Sequence, residues 1–227
     1  MVYIGIPLPR REGIKGRGKF IEMTEEKISI SCEGLIIEGL IDDSPGEKAV
    51  VITHPHPLYG GNMYNNVVES IVQAYCQEGY TTLRFNFRGV GLSQGDYDQG
   101  IGEQEDVRAA LTYLCELEKS SIDLAGYSFG VWVNALGLKS FEPAKRMIMV
   151  SPPVNSIDFS FLDYSHKIQL IIAGSEDDIA PPALIKDMVP TWNPKADFRI
   201  IQGADHFYWG KTGEISAIIQ CFLGLKG

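Results

Sequence analysis

The 227-residue chain carries a formal net charge of −9, with 44% hydrophobic and 22% charged residues. This composition is ordinary for a globular enzyme, and the length is typical of one domain. The acidic balance argues against nucleic acid and anionic membranes as partners, because both repel a negative surface. No apolar run reaches the ~18 residues of a membrane-spanning helix, and no signal-peptide pattern precedes the first charges. We therefore expect a cytoplasmic protein.

The N-terminal segment differs in charge from the rest of the chain. Residues 1–20 have a net charge of +4, which leaves −13 for the remainder. We predict an N-terminal arm over residues 1–26 and one folded domain over residues 27–227. A solvated tail is the simpler interpretation of the arm, and docking on an acidic neighbouring subunit of a homo-oligomer is the alternative.

The four cysteines lie far apart and form neither a C-x-x-C pair nor a metal-binding spacing. They are Cys32, Cys76, Cys115 and Cys221. All four stand among apolar residues, so we predict buried free thiols in a reducing compartment.

The predicted elements begin with a hairpin. Its strands, Lys27–Cys32 and Leu35–Ile41, flank the turn Glu33-Gly34. From Ala49 onward strands alternate with helices. The strands are Ala49–Thr53, Thr81–Phe87, Ser121–Ala125, Arg146–Val150, Lys167–Ala173 and Phe198–Gln202. The helices are Asn62–Glu78, Glu103–Glu118, Val131–Leu138, Ala183–Met188 and Thr212–Leu223.

This alternation predicts the fold class. Several strands are continuous apolar runs, as expected for parallel strands covered on both faces. The sequence therefore predicts an α/β fold with an eight-stranded, mostly parallel, doubly wound sheet and helices on both faces. Only about a dozen residues separate Pro153 from Lys167, which is too few for a lid domain.

One pentapeptide predicts a nucleophile. Gly126-Tyr127-Ser128-Phe129-Gly130 fits G-x-S-x-G, between the strand Ser121–Ala125 and a helix. Such a turn exposes the serine hydroxyl and brings the flanking positions so close that only glycine fits them. We predict that Ser128 is the nucleophile.

A nucleophilic serine needs a base, and the base needs a carboxylate to orient it. Of the four histidines, His206 follows the strand Phe198–Gln202 and stands at the same edge of the sheet as Ser128. We predict His206 as the base. Asp177 follows the preceding strand and is our choice for the acid, with its neighbour Asp178 as the alternative.

Two backbone N–H groups are expected to stabilise the oxyanion. One belongs to Phe129, directly after the serine. The other should come from the loop after the strand Ala49–Thr53, where two prolines have no N–H to donate. The first candidate donor on this loop is therefore the N–H of His56, and the second is that of Leu58. A metal site at His54 and His56 is a weaker interpretation, since the prolines keep the segment extended and no third ligand stands nearby.

Side chains on the same loops are expected to surround the substrate: Leu58, Tyr127, Pro152 and Phe207. Arg88 follows the strand Thr81–Phe87. We interpret it as a tie between loops, with an anionic substrate group as the alternative partner.

Three segments carry a family resemblance: His54–Met63 (HPHPLYGGNM), Asn86–Gly95 (NFRGVGLSQG) and Asp98–Glu103 (DQGIGE). With the order serine, acid, histidine, they make the chain from about residue 27 resemble the α/β-hydrolase superfamily. Within it, the chain is similar to small, lidless bacterial hydrolases close to the dienelactone-hydrolase-like proteins. Dienelactone hydrolases proper use a cysteine nucleophile where this chain has Ser128.

The resemblance implies a serine hydrolase. Together with the residues above, it predicts an enzyme that cleaves a small carboxylic ester or thioester through Ser128, His206 and Asp177 and needs no cofactor or metal. A hydrolase of short peptides or amides is one alternative. A non-catalytic binding protein on a hydrolase scaffold is the other.

Overall fold

The computed structural model describes residues 24–225. Its strands are β1 (Glu26–Cys32), β2 (Leu35–Asp42), β3 (Lys48–Thr53), β4 (Thr81–Phe85), β5 (Ser121–Tyr127), β6 (Ala144–Val150), β7 (Ile168–Gly174) and β8 (Asp197–Ile201). Its α-helices are α1 (Asn66–Gln77), α2 (Ile101–Glu116), α3 (Phe129–Gly137), α4 (Pro182–Trp192) and α5 (Thr212–Gly224). The predicted arm, residues 1–26, lies outside the described residues except for its last three positions.

The eight strands form one sheet in the order β1-β2-β4-β3-β5-β6-β7-β8. β1 and β2 are antiparallel to their neighbours at one edge, and the strands from β4 to β8 are parallel. The predicted hairpin and the mostly parallel sheet are thereby confirmed. The chain reverses its direction of winding at β3, because β4 lies on one side of it and β5 on the other. Ligands of open α/β sheets bind at such a reversal, beyond the carboxyl ends of the strands.

Helices cover both faces of the sheet, as predicted. One apolar core lies under α2, α3 and α4, and includes Val107, Val131 and Ile185. The other lies under α1 and α5, and includes Ile71 and Ile219. The central strands contribute apolar side chains to both cores, which explains their continuous apolar sequences.

The start of α1 differs from the prediction. The helix begins at Asn66 rather than Asn62, because the Asn65 side chain accepts a hydrogen bond from the N–H of Val67 and so caps the first turn. Asn62 instead closes a turn by accepting from the N–H of Tyr64. The asparagine-rich segment therefore extends the loop that follows β3.

The prediction of four buried thiols was wrong for two of them. Cys32 and Cys76 are buried, whereas Cys115 and Cys221 are exposed; all four are free. Both exposed thiols are next to a buried residue on a helix, and adjacent helical positions point in different directions. An apolar neighbour in the sequence therefore does not imply burial.

Among the described helices, none combines the length and apolarity that crossing a membrane requires.

Candidate active site

Ser128 lies in a sharp turn between β5 and α3. Its φ of +55° is in the left-handed region, which a residue with a Cβ adopts at a cost of about 1–3 kcal/mol. A Cβ on Gly126 would lie 2.7 Å from Thr53 Oγ1, and one on Gly130 would lie 2.7 Å from the Thr53 carbonyl oxygen. The two glycines are therefore required by the close approach of β3, and the turn has the sharp, strained geometry that the G-x-S-x-G pattern predicts.

The structure brings the three predicted catalytic side chains together. Ser128 Oγ lies 2.9 Å from His206 Nε2, and His206 Nδ1 lies 2.9 Å from both carboxylate oxygens of Asp177. An ionised carboxylate can only accept hydrogen bonds, so Nδ1 carries the proton and Nε2 accepts from the serine hydroxyl. This is the tautomer that a general base needs.

Asp177 is held ionised by the groups around it. Burial raises the pKa of this carboxyl, but the hydrogen bond and charge of His206, the N–H of Ala180 and the hydroxyl of Ser151 together outweigh burial, so its pKa is lowered. The hydrogen bonds from Ala180 and Ser151 both measure 2.7 Å. Its neighbour Asp178 is exposed, so the structure places the chosen acid, and not the alternative, on the histidine.

The loop after β3 packs directly on the turn that holds Ser128. The His56 ring lies 4.6 Å from the Phe129 ring, centroid to centroid. Phe129 is the first residue of α3, so its N–H is one of those that helix geometry leaves without an intrahelical partner. The N–H of Leu58 donates to His56 Nδ1. Of the two donors predicted on this loop, Leu58 is thus engaged, which favours His56.

The chain is similar to proteins of known fold. No family model matches the chain. An uncharacterised protein of Rickettsia prowazekii is 41% identical over an alignment of 190 residues, and the match covers 79% of this chain and 80% of that protein. The structure of an α/β serine hydrolase homologue from Coxiella burnetii is 35% identical, with a TM-score of 0.82, and covers 89% of this chain and 99% of its own. The chain belongs to the α/β-hydrolase superfamily.

A second solved structure indicates the type of α/β hydrolase. A Xanthomonas campestris protein, described as an α/β serine hydrolase without lid, is 27% identical with a TM-score of 0.79, over 88% of this chain and 94% of that one. In this α/β hydrolase too, residues 151–167 between β6 and β7 contain only turns and bends. The prediction of a lidless α/β-hydrolase fold is confirmed. The likeness to serine hydrolases supports hydrolase activity.

The four predicted pocket residues of this α/β hydrolase fall into two groups. Leu58 and Phe207 are 68% and 54% exposed, and the Phe207 ring lies 5.8 Å from that of His206. Tyr127 and Pro152 are buried instead. Tyr127 packs behind the base and donates a 2.6 Å hydrogen bond to the His206 carbonyl oxygen. Leu58 and Phe207 are thus open to solvent, whereas Tyr127 and Pro152, like Ser128 itself, are covered.

Arg88 is tied to a neighbouring element. Its Nη2 lies 2.9 Å from Oδ1 of the buried Asp106 on α2, and its backbone N–H donates to the other oxygen of the same carboxylate. Arg88 therefore has the structural role of a tie, but it joins the loop after β4 to α2 rather than to another loop.

His54 has a structural role that its sequence did not reveal. Nδ1 lies 2.7 Å from the Pro55 carbonyl oxygen, and Nε2 accepts from the N–H of Phe87. Both ring nitrogens are thus used to hold the loop after β3 against the end of β4, and neither is free for a metal ion. Burial lowers the pKa of His54 to about 4.

We predict that the folding stability depends on pH through His54. Because the folded-state pKa lies below the unfolded value of 6.5, the unfolded chain binds the extra proton. This stability is therefore complete above pH 6.5 and falls by about 3 kcal/mol as the pH drops to 4. Urea unfolding between pH 7 and 4 should show this fall in the free energy of unfolding. The variant His54→Asn should be less stable than the parent at pH 7, and its free energy of unfolding should fall less between pH 7 and 4.

The matched control is His166→Asn, which replaces an exposed histidine. It should unfold with the same pH dependence as the parent. An equal loss of stability in the parent and in His54→Asn would show that His54 is not the group that titrates.

Proposed function

We propose that this α/β hydrolase cleaves a small carboxylic ester or thioester through a Ser-His-Asp triad and an acyl-enzyme. The observation that carries the proposal is the continuous hydrogen-bonded series from Ser128 Oγ through His206 to Asp177, with both links at 2.9 Å. In that series the nucleophile, the base and the orienting carboxylate each have the partner that their role requires.

In the first half-reaction, Ser128 Oγ attacks the carbonyl carbon while its proton passes to His206 Nε2. Asp177 stabilises the resulting imidazolium without taking the proton. The N–H groups of Phe129 and His56 bind the oxyanion. When the tetrahedral intermediate collapses, the bond to the alcohol or thiol breaks, and the leaving group takes the proton from Nε2.

In the second half-reaction, water attacks the acyl-enzyme. His206 Nε2 accepts a proton from the water as its oxygen bonds to the acyl carbon. The Ser128 ester then breaks, and the serine oxygen recovers a proton from the same nitrogen. The products are a carboxylic acid and free enzyme. The residues alone account for every proton, so the proposed mechanism invokes no cofactor.

A burst experiment tests this proposal. Mixing the protein with excess p-nitrophenyl acetate should release one equivalent of p-nitrophenol per active site before the slower steady state, since an activated ester should acylate Ser128 faster than water removes the acyl group. Acyl-CoA thioesters and peptide p-nitroanilides are the competing substrates. Turnover of the anilides alone would identify an amidase, and turnover of none would favour a binding protein.

The enzyme should prefer short acyl chains. The segment 151–167 forms only turns, so nothing in it can cover a long aliphatic tail, and distal methylenes would remain in water. A buried methylene contributes about 0.8 kcal/mol, roughly fourfold in kcat/KM, whereas an exposed one contributes almost nothing. We expect kcat/KM to rise over the first few carbons and then to level off or fall.

The measurement is kcat/KM for p-nitrophenyl esters from C2 to C12. It should be repeated on a form without residues 1–20, because an arm of that length could cover a neighbouring subunit's site. A rise that continues through C8 or beyond in both forms would reveal a deep acyl pocket and contradict a shallow one.

A further inference from the structure

Two buried hydroxyls continue the hydrogen-bonded series beyond the carboxylate. Ser151 Oγ lies 2.7 Å from Asp177 Oδ2, and the Tyr208 hydroxyl lies 2.7 Å from Ser151 Oγ. Both side chains are fully buried, Ser151 directly after β6 and Tyr208 in the loop that carries His206. We refer to Ser151 and Tyr208 as the hydroxyl pair.

The direction of these hydrogen bonds follows from the chemistry of the groups. The Asp177 carboxylate can only accept, so Ser151 must donate its single proton to Oδ2. The proton between the hydroxyl pair must then come from Tyr208, with the serine oxygen as acceptor. The hydroxyl pair therefore ends in one donated hydrogen bond to the carboxylate, and Tyr208 polarises the hydroxyl that makes it.

The backbone at both positions is unusual for residues with a side chain. Ser151 has a φ of +47° and Tyr208 a φ of +54°, in the left-handed region that favours glycine. In the described chain only six residues other than glycine have a positive φ, and three of them, Ser128, Ser151 and Tyr208, belong to this one hydrogen-bonded series. Backbone strain that persists in this way is concentrated at functional sites.

We propose that Ser151 and Tyr208 are positioning residues of the triad, which hold the Asp177 carboxylate in line with His206. The proposal rests on the proposed function, because it assigns these hydroxyls to that reaction. Neither touches the substrate. They act through Asp177, which also accepts from the backbone N–H groups of Ile179 and Ala180.

Several titratable groups lie around Asp177 and influence how kcat/KM depends on pH. His206 contacts the carboxylate, and Tyr208 reaches it through Ser151. Burial is the main cause that raises the pKa of both Tyr208 and Tyr127, and the charge of Asp177 adds to it. Asp205 adds to that effect on the two tyrosines. Removing the Ser151 hydroxyl removes one of the interactions that lower the pKa of Asp177. The more basic carboxylate should stabilise the protonated form of the base, so the acid limb of kcat/KM should move to higher pH.

The test compares Ser151→Ala, Ser151→Gly, Tyr208→Phe and the double variant Ser151→Ala/Tyr208→Phe. Loss of a hydrogen bond to a charged group should lower kcat by about ten- to a hundredfold in both Ser151 variants, with KM little changed. Tyr208→Phe should cost about three- to tenfold in the parent and almost nothing when Ser151 is already Ala, because its effect passes through that hydroxyl.

Two controls separate positioning from structural support. Glycine relieves the positive φ, so Ser151→Gly should unfold at a temperature no lower than Ser151→Ala and yet be equally inactive. Tyr75→Phe removes another buried tyrosine hydrogen bond, 3.1 Å from Asp123, at the opposite end of β5. It should leave kcat and the acid limb unchanged.

A readout that needs no turnover completes the design. The far-downfield proton NMR signal of the Nδ1–H bond between His206 and Asp177 should move in Ser151→Gly, because the carboxylate loses a donor and accepts more strongly from the histidine. If the parent protein proved inactive, the proposed function would be contradicted. The NMR signal would still test whether the hydroxyl pair aligns the Asp177 carboxylate with His206. An unmoved signal, parental kcat in the Ser151 variants, or independent losses that multiply in the double variant would overturn the positioning role.

Discussion

Ser128→Ala is expected to abolish ester hydrolysis, with kcat lower by roughly 10⁴- to 10⁶-fold, while the protein stays folded. The serine oxygen forms the covalent bond in the proposed mechanism, and within residues 24–225 no other hydroxyl is placed on His206 Nε2. The fold should survive because alanine has the same Cβ and the backbone at position 128 keeps its φ of +55°. The change removes one hydrogen bond and leaves no cavity larger than an oxygen atom.

The measurement is kcat/KM on the best short-chain p-nitrophenyl ester, with thermal unfolding as the control for folding. Retained turnover within about tenfold of the parent, in a preparation free of parental enzyme, would exclude Ser128 as the nucleophile. A large fall in the unfolding temperature would instead show that the hydroxyl supports the turn.

Asp177→Asn should lower kcat by about 10⁴-fold, and Asp178→Asn should leave it close to the parent. An asparagine amide can donate to His206 Nδ1, so the imidazole would place its proton on Nε2, facing Ser128, where it cannot act as a base. In the parent, one carboxylate oxygen accepts from the N–H of Ala180 and the other from the hydroxyl of Ser151. The amide of the variant has only one oxygen to accept from both donors.

Asp178→Asn is a matched control, because it makes the identical chemical change on the adjacent, exposed residue. Both variants should be compared on the same ester at several pH values. If Asp178→Asn proved the more damaging of the two, Asp178 would be the acid and the arrangement around His206 would differ from the one described above.

The strands were the most predictable part of the fold. Apolar runs such as Val50-Val51-Ile52 are typical of parallel strands covered on both faces, and all eight strands occur within two residues of their expected bounds. Features that depend on single hydrogen bonds were less predictable. The start of α1 depends on which of several asparagines caps it, and the exposure of Cys115 and Cys221 depends on helix rotation.

Local motifs and chain order predicted that Ser128 and His206 meet, but they left both Asp177 and Asp178 open as the acid. Ser128, Asp177 and His206 each follow a parallel strand, and parallel strands end at one edge of the sheet. The hydroxyl pair could not be predicted in the same way. Ser151 also ends a parallel strand, but nothing in its sequence context indicates a bond to Asp177, and Tyr208 looks like one of three consecutive aromatics. Only the folded loop turns its hydroxyl inward.

Labelling with a fluorophosphonate tests most directly whether Ser128 is an activated nucleophile. The probe should react at one equivalent per chain, and peptide mapping by mass spectrometry should place the phosphonyl group on Ser128. Ser128→Ala should remain unlabelled, and Asp178→Asn should label at the parental rate. No reaction of the folded parent, or a label on any other residue, would contradict the account.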